Sequence, residues 1–366
     1  MKHPILSTTF ALVLITAPAF VKAQRSKSEI PPHCYDAGYE IKQGQMASGY
    51  NHPGGINTEG WDVFINASFL FWEARQDGMS LGLPNSFPTT SGFRNDKVTY
   101  QNFRYKPGFK VAAGFKSDSF DDWGALIEYT RLHGSYSTGA TAPETPNGVI
   151  RMVPWWSNQT NQNAFAFTST WKMDYDVIDF GLFRTYYVGR LLGFSTYFGG
   201  RGGWIDQSLN LSANIVNQPA AIPSPATSQN SVDSWFIGPR AAVNISWIFG
   251  YGLRLVGNTS LSVVFQRFHS IVHDQSETDD PAQNGHSLFH RDNQIRPNMD
   301  MQFGIGWGIY AWNQKVHFDL EATYGFTIWW AQNMMRMLAD QLGSSAESSP
   351  GNLYFQGLTV RGQLNF

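Results

Sequence analysis

The feature that most limits the fold of this chain is a strict alternation of apolar and polar side chains near its C-terminus. From Val316 to Trp330, apolar residues occupy every second position, and the residues between them are polar or small. The preceding segment, 297–312, repeats the pattern with Met, Phe, Ile and Trp alternating with Asp, Gln and Gly. A period of two is typical of a β-strand whose two faces meet different environments. The chain is therefore predicted to be all-β.

The composition indicates what the apolar faces contact. Charged residues make up only 15% of the chain and aromatic residues another 15%, whereas soluble proteins carry about 25% charged residues. After residue 23, no apolar run reaches the about 18 residues that indicate a membrane-spanning helix. A transmembrane β-barrel, with apolar faces toward lipid and polar faces toward a lumen, satisfies both observations. The formal net charge of −2 gives no indication of a nucleic-acid partner.

The connections between strands support a barrel of the bacterial outer membrane. Ten strand segments are expected near 60–74, 103–116, 122–136, 165–187, 191–212, 232–249, 251–268, 297–312, 315–331 and 352–366. Long connections, at 75–102, 137–164, 213–231, 269–296 and 332–351, alternate with short ones. Long external loops and short periplasmic turns characterise such barrels. We predict a transmembrane antiparallel up-and-down β-barrel of ten strands, or of twelve if 75–102 contains a further hairpin. In segment 165–187, Tyr175 and Val177 are out of phase with Ile178, Phe180 and Leu182, which predicts a bulge.

The N-terminal region predicts export. Lys2 precedes an apolar run that ends near Val21-Lys22-Ala23, where small residues have the spacing of a signal-peptidase site. We predict a signal peptide over 1–23, a flexible periplasmic segment over 24–59 and the barrel over 60–366 in the outer membrane of a Gram-negative bacterium. Cys34 is the only cysteine, so no disulfide can form within the chain.

The last strand ends in an alternating pattern that resembles the signal read by the barrel-assembly machinery. Leu358, Val360, Leu364 and the terminal Phe366 supply its apolar positions. The assembly machinery is therefore an expected partner, together with outer-membrane lipid and lipopolysaccharide. A homo-oligomer is a further expectation, although no strand stands out as its interface.

Several runs together resemble the Legionella-type major outer membrane protein family, which also occurs in chlamydia-related bacteria. They are FINASFLFWEAR at 64–75, KPGFKVAAGF and DDWGALIEYTRLHG within 106–134, WKMDYDVIDF and GRGGWIDQSL within 171–209, SWFIGPRAAVNISWIFGYGLRLVG at 234–257, GIGWGIY at 304–310, WWAQNMM at 329–335 and LYFQGLTVRGQLNF at 353–366. Their order and spacing carry the resemblance, which implies a pore-forming barrel and offers no catalytic residues. Unlike the cysteine-rich chlamydial relatives, this chain has only Cys34, so a disulfide-linked envelope network is not expected.

The polar strand faces supply the candidate pore residues. These are Asp62, Lys110, Lys116, Glu128, Arg201, Arg254, Asp300, His317, Asp319, Glu321 and Arg361. Charges of both signs could create a transverse field in a water-filled pore. They could equally form ion pairs that fill a narrow barrel, because open porins have 16–18 strands. The resemblance favours a porin-like protein that passes ions and small hydrophilic solutes. The alternative is a closed barrel that binds host or envelope partners through its external loops.

No enzymatic chemistry, cofactor or metal site is expected. The predicted loop 269–296 contains His269, His273, Asp274, Asp279, Asp280, His286 and His290, but their spacing matches no ligand motif. The carboxylate pairs Asp174/Asp176 and Asp319/Glu321 could act as acid and base, yet ion pairs explain them equally well. A short amphipathic helix is predicted within 329–342, either folded into the barrel mouth or lying on the membrane surface.

Overall fold

The fold is known from a computed structural model that describes most of the chain. The described residues are 61–86, 98–117, 123–141, 148–152, 163–188, 191–217, 222–277, 284–289, 291–311, 316–338 and 350–366. The predicted signal peptide and periplasmic segment, and with them Cys34, lie outside this part. None of the described helices is both long enough and apolar enough to traverse a membrane.

Ten antiparallel strands form a closed ring. They are β1 (Trp61–Gln76), β4 (Tyr105–Ser117), β5 (Trp123–Thr141), β7 (Asn163–Val188), β8 (Leu192–Asn217), β9 (Ile222–Gly250), β10 (Leu253–Glu277), β12 (Asp292–Ala311), β13 (Val316–Asn333) and β14 (Gly351–Asn365). Each pairs with the next in this order, and β14 pairs with β1 to close the ring. Reciprocal backbone hydrogen bonds between Val63 and Phe366 complete this closure. The prediction of an all-β up-and-down barrel of ten strands is confirmed.

Four short strands lie outside the ring. β2 (Ser80–Ser86) pairs with β3 (Thr99–Tyr100) and with β6 (Gly148–Met152), so the described parts of segment 75–102, residues 75–86 and 98–102, form no additional membrane-spanning hairpin. β11 (Gly285–Phe289) pairs with the far end of β10 and continues the line of β12. The twelve-strand alternative is therefore wrong for the described residues.

The barrel wall is taller on one side than the sequence predicts. β7 to β10 contain 25–29 residues each, whereas the other six strands contain 13–20. Most of the predicted loops 213–231 and 269–296 is strand, and buried Ala226, Ser228 and Asn230 alternate there with exposed neighbours. A strand that rises out of the bilayer exposes a polar outer face to water, so its sequence resembles a loop.

The two ends of the barrel differ. We call the end with the short turns and with Trp61 and Phe366 the turn end, and the opposite end the loop end. Residues 334–338 form the helix α1 at the loop end, inside the predicted range 329–342. Ala331 has a φ of 56° in the left-handed region, which non-glycine residues rarely adopt. At this point the β13–β14 register is interrupted and the chain turns from β13 toward α1. We call residues 331–338 the strap.

Segment 165–187 shows why one apolar face could not be assigned to it. Tyr175 and Val177 are buried inside the barrel, whereas Phe180 and Leu182 are about half exposed on the outside. The β5–β7 register runs through this stretch without a shift, so the predicted bulge is absent there. Both faces of β7 are apolar at different heights, because the inside of the barrel is itself apolar near the loop end.

Candidate functional site: the barrel lumen

The outside of the ring carries an apolar belt. Phe69, Phe180, Phe198, Ile237 and Phe303 are each at least half exposed, and similar residues recur on all ten strands. Soluble monomers rarely expose apolar area of this extent, and such area marks a surface that contacts another protein or a membrane. The belt is suited to contact with lipid acyl chains. Sites for water, ions or polar solutes are therefore expected in the lumen or at the two ends of the barrel.

A polar cavity occupies the turn-end half of the lumen. It offers about 220 Å³ to water-sized molecules. Its charged lining consists of Lys110, Lys116, Glu128, Arg240, Asp300, Glu321 and Arg361. Asn66, Asn244 and Gln302 add neutral polar groups to its wall. Water and small polar solutes are therefore suited to this half of the barrel.

A mid-barrel ion cluster stands between the cavity and the loop end. Arg201 contacts Asp179 and Asp300, each at 2.7 Å, and Arg240 contacts Asp179 at 3.1 Å and Asp300 at 3.9 Å. Arg201 on β8 and Asp300 on β12 are separated by β9 and β10, so their contact bridges part of the lumen. Arg201 also donates to Asn298. The cluster brings two cations and two anions together.

A second ion cluster lies nearer the turn end. Arg254 donates to Asp319 at 2.6 Å and to Glu321 at 2.9 Å, and Glu321 also accepts from Arg361 at 2.8 Å. The side chain of Arg254 is fully buried. Gly306 makes room for it, since a Cβ at that position would lie 2.7 Å from the guanidinium carbon. A glycine facing the lumen is therefore a packing requirement of this cluster.

The remaining predicted residues are placed as follows. Lys110 contacts Glu128 at 3.4 Å, and Lys116 lines the cavity. His317 is buried at the turn end, where its Nδ1 lies 3.1 Å from the side-chain nitrogen of Asn365. Asp62 pairs with Lys116 in the β1–β4 register, and its side chain lies outside the described part of the structure. Most of the lumenal charges are thus held in ion pairs of opposite sign.

Two members of the mid-barrel cluster, Arg240 and Asp179, are not among the predicted pore residues. Arg240 could have been found, because Ile237, Val243 and Ile245 mark the outward face of β9 and leave even positions inward. Asp179 could not be assigned while the faces of β7 were ambiguous.

An apolar core fills the loop-end half of the lumen. Among its fully or almost fully buried side chains are Leu70, Trp72, Leu132, Tyr136, Trp171, Met173, Tyr175, Val177, Ile205, Leu209, Phe236, Val264, Phe268, Trp329 and Phe355. Its rings are in contact: Tyr175 and Phe355 have centroids 4.6 Å apart, and Phe236 and Trp329 have centroids 4.7 Å apart. We call this set the apolar plug. In the described part of the lumen, it separates the polar cavity from the loop end.

The strap adds its own side chains to the plug. Met334, Met335 and Leu338 are at most 6% exposed. Gln332 and Gln266 exchange two side-chain hydrogen bonds, of 2.7 and 3.0 Å, which tie the strap to β10. Asn333 donates to the backbone oxygen of Asp77 at 2.8 Å and accepts from the backbone N–H of Arg336 at the start of α1. α1 therefore lies in the barrel mouth, which is one of its two predicted positions, and not on the membrane surface.

The described histidines of segment 269–296 do not converge on one site. His273 is buried and its Nδ1 lies 2.6 Å from the side-chain oxygen of Asn230, whereas His286 contacts Asp274 on the surface. Asp279, Asp280 and His290 lie outside the described residues. Within the described ranges, no group of three or more His, Cys, Asp or Glu side chains could hold a metal ion.

The carboxylate pair Asp174/Asp176 lies beside a histidine: Asp174 and Asp176 both contact His133, at 3.2 and 2.7 Å.

The four residues of the predicted assembly signal lie on the same face of the C-terminal strand. Leu358, Leu364 and Phe366 are 40–51% exposed on the lipid-facing side, and Val360 is half-buried between them.

Comparison with known proteins identifies one family. A family described as Legionella pneumophila major outer membrane protein precursor matches residues 56–366. No curated protein matches the chain. Among solved structures, a TodX deltaS2S3 mutant, a monoaromatic hydrocarbon channel, is 8% identical with a TM-score of 0.23, covering 84% of this chain and 90% of that one. A TodX deltaS2 mutant is 7% identical with a TM-score of 0.21, covering 84% and 89%. At these values, the two likenesses say nothing of function.

Proposed function

We propose that this chain, which belongs to the Legionella major outer membrane protein family, lets ions and small hydrophilic solutes diffuse passively across the outer membrane. Its localisation follows from the family and the closed barrel: it is a multi-pass β-barrel of the bacterial outer membrane. The observation that carries the proposal is the polar, charge-lined cavity in the turn-end half of the lumen. Outer-membrane lipid and lipopolysaccharide are the proposed partners of the apolar belt.

The apolar plug limits this passage. A solute that crosses the barrel must pass the level of Trp329 and Phe355, which are both almost fully buried. We therefore infer that the pore exists in a closed form, and that opening requires the strap to leave the mouth and the plug side chains of the wall, Trp329 and Phe355 among them, to move aside. The strap is a suitable moving part, because one interrupted strand pairing and a few side-chain hydrogen bonds connect it to the wall.

Planar-bilayer recording tests the pore. The refolded protein is expected to give discrete conductance steps that are rare at rest, because the closed form is favoured. The paired lumenal charges predict weak discrimination between cations and anions, since a ring of one sign would be needed for strong selectivity. Absence of any step in the wild-type protein and in a variant with a weakened strap would contradict the proposal.

The second candidate function is a permanently closed barrel that binds host or envelope partners through its loops. The filled loop-end half of the lumen favours it, as does the tall wall of β7 to β10, which displays polar surface beyond the apolar belt. No enzymatic role is proposed. Binding to host cells by a variant that never conducts would support this candidate over the pore.

Phe366 is proposed to be part of the assembly signal. Replacing Phe366 with serine is expected to lower the amount of protein in the outer membrane severalfold, because the terminal aromatic ring faces outward where assembly factors can contact it. Gln363→Ser, on the lumenal face of the same strand, is the matched control. Quantification in outer-membrane fractions provides the measurement. Equal amounts of the two variants would remove Phe366 from the signal.

A further inference from the structure

Arg296 is a buried arginine at the loop end that has no carboxylate partner among the described residues. It lies on β12 and is 5% exposed. Its Nη2 donates to the sulfur of Met334 at 3.4 Å, and its guanidinium carbon lies 5.7 Å from the ring centroid of Phe268. Its Nε has no hydrogen-bond partner in the described structure. A thioether and an aromatic face are weak substitutes for a counter-ion.

The other two buried arginines of the described lumen, Arg201 and Arg254, have carboxylate partners. Arg201 and Arg254 each contact two carboxylates within 3.0 Å. Asp292, four residues before Arg296 on the same strand, accepts a hydrogen bond from Gln294 instead. Burying a cation without an anion is strongly unfavourable, because the lost hydration is not replaced. An anionic group that bound beside Arg296 would therefore stabilise its buried guanidinium.

The surroundings define the chemical class of that anion. A guanidinium presents parallel N–H donors that match a carboxylate in a bidentate fashion. The neighbouring plug is aromatic, with Phe268 beside the guanidinium and Phe236 and Trp329 in the same core. We propose that Arg296 binds the carboxylate of an organic anion with a flat apolar body, and that Met334 occupies this place while the strap is closed. The site shares with the proposed pore the assumption that the strap can move.

Equilibrium dialysis with benzoate tests the site on the full refolded protein in detergent micelles. Benzamide is the matched probe, because it has the same shape without the charge. Wild-type protein is expected to bind benzoate in preference to benzamide, and Met334→Ser is expected to bind benzoate more tightly because the competing thioether is gone. Arg296→Met should weaken benzoate binding by about tenfold or more, the loss expected for a charge-assisted hydrogen bond.

Two further variants make the test specific. Arg131→Met removes an arginine whose side chain is 49% exposed and should leave benzoate binding unchanged. Arg296→Lys keeps the cation and should retain part of the binding. It replaces Arg296→Met in the test if that variant does not fold, as judged by whether heating changes its migration in gel electrophoresis. Equal binding of benzoate and benzamide, or equal benzoate binding by wild type and a folded Arg296 variant, would overturn the proposal.

Binding and conduction are measured separately, so the two proposals can fail independently. Protein that binds benzoate through Arg296 but gives no conductance steps removes the pore and keeps the site. Protein that conducts but does not distinguish benzoate from benzamide removes the site and keeps the pore.

Discussion

Channel opening is expected to become at least about a hundredfold more favourable when Met334 and Met335 are both replaced by serine. The two side chains are at most 1% exposed and lie in the apolar plug. Truncating a buried methionine costs about 2 kcal/mol or more, and each 1.4 kcal/mol changes an equilibrium about tenfold. Because these contacts exist only while the strap is in the mouth, their loss destabilises the closed form alone. Single-channel recording of the open fraction provides the measurement.

Met337→Ser is the control for this experiment. Met337 belongs to the same helix and is only partly buried, so its replacement should change the open fraction much less. A double variant that opens no more often than Met337→Ser would show that the strap is not the gate. Increased leakage without discrete steps would indicate that the barrel, and not the gate, had been weakened.

Replacing Arg254 with methionine is expected to lower the free energy of unfolding by about 3–5 kcal/mol. The variant leaves Asp319 buried without the guanidinium that now neutralises it, beside Glu321, which keeps Arg361 as its partner. Leaving a buried charge unpaired costs far more than losing a surface ion pair. Denaturant titration of the protein in lipid vesicles, followed by tryptophan fluorescence, measures the change.

Arg131→Met is the matched control for the Arg254 experiment. Arg131 lies 4.0 Å from Asp176, and its side chain is 49% exposed, so its loss should cost about 1 kcal/mol or less. Combining Arg254→Met with Asp319→Asn should recover much of the lost stability, because the uncompensated charge is then removed. If Arg254→Met and Arg131→Met are equally stable, the cluster does not stabilise the barrel.

The contribution of the sequence can be seen in β12 and β13. Their alternating side chains predicted the β-strands, and the apolar residues Met301, Phe303 and Ile305 are indeed exposed on the outside of the barrel. The same alternation placed Asp300 and Glu321 on the inner face, where both line the cavity. A period of two reports two environments directly, because successive side chains of a strand point to opposite faces.

The lengths of the strands are harder to predict from the sequence than their existence. Segments 213–231 and 269–296 were predicted as loops, although β8, β9 and β10 run far into them. The outer face of a strand is apolar only within the bilayer. Above it, polar residues on both faces remove the alternation on which the prediction depends.

What the sequence alone determined is the class of the molecule: ten membrane-crossing strands, their order in the ring and a C-terminal strand with an apolar outer face. Only the tertiary structure decided what fills the barrel. Arg201 meets Asp300 across two intervening strands, and the strap carries Met334 over Arg296. Periodicity along one strand identifies which face a residue occupies. It contains no information on which residues of distant strands share a level, because that depends on the stagger and closure of the whole ring.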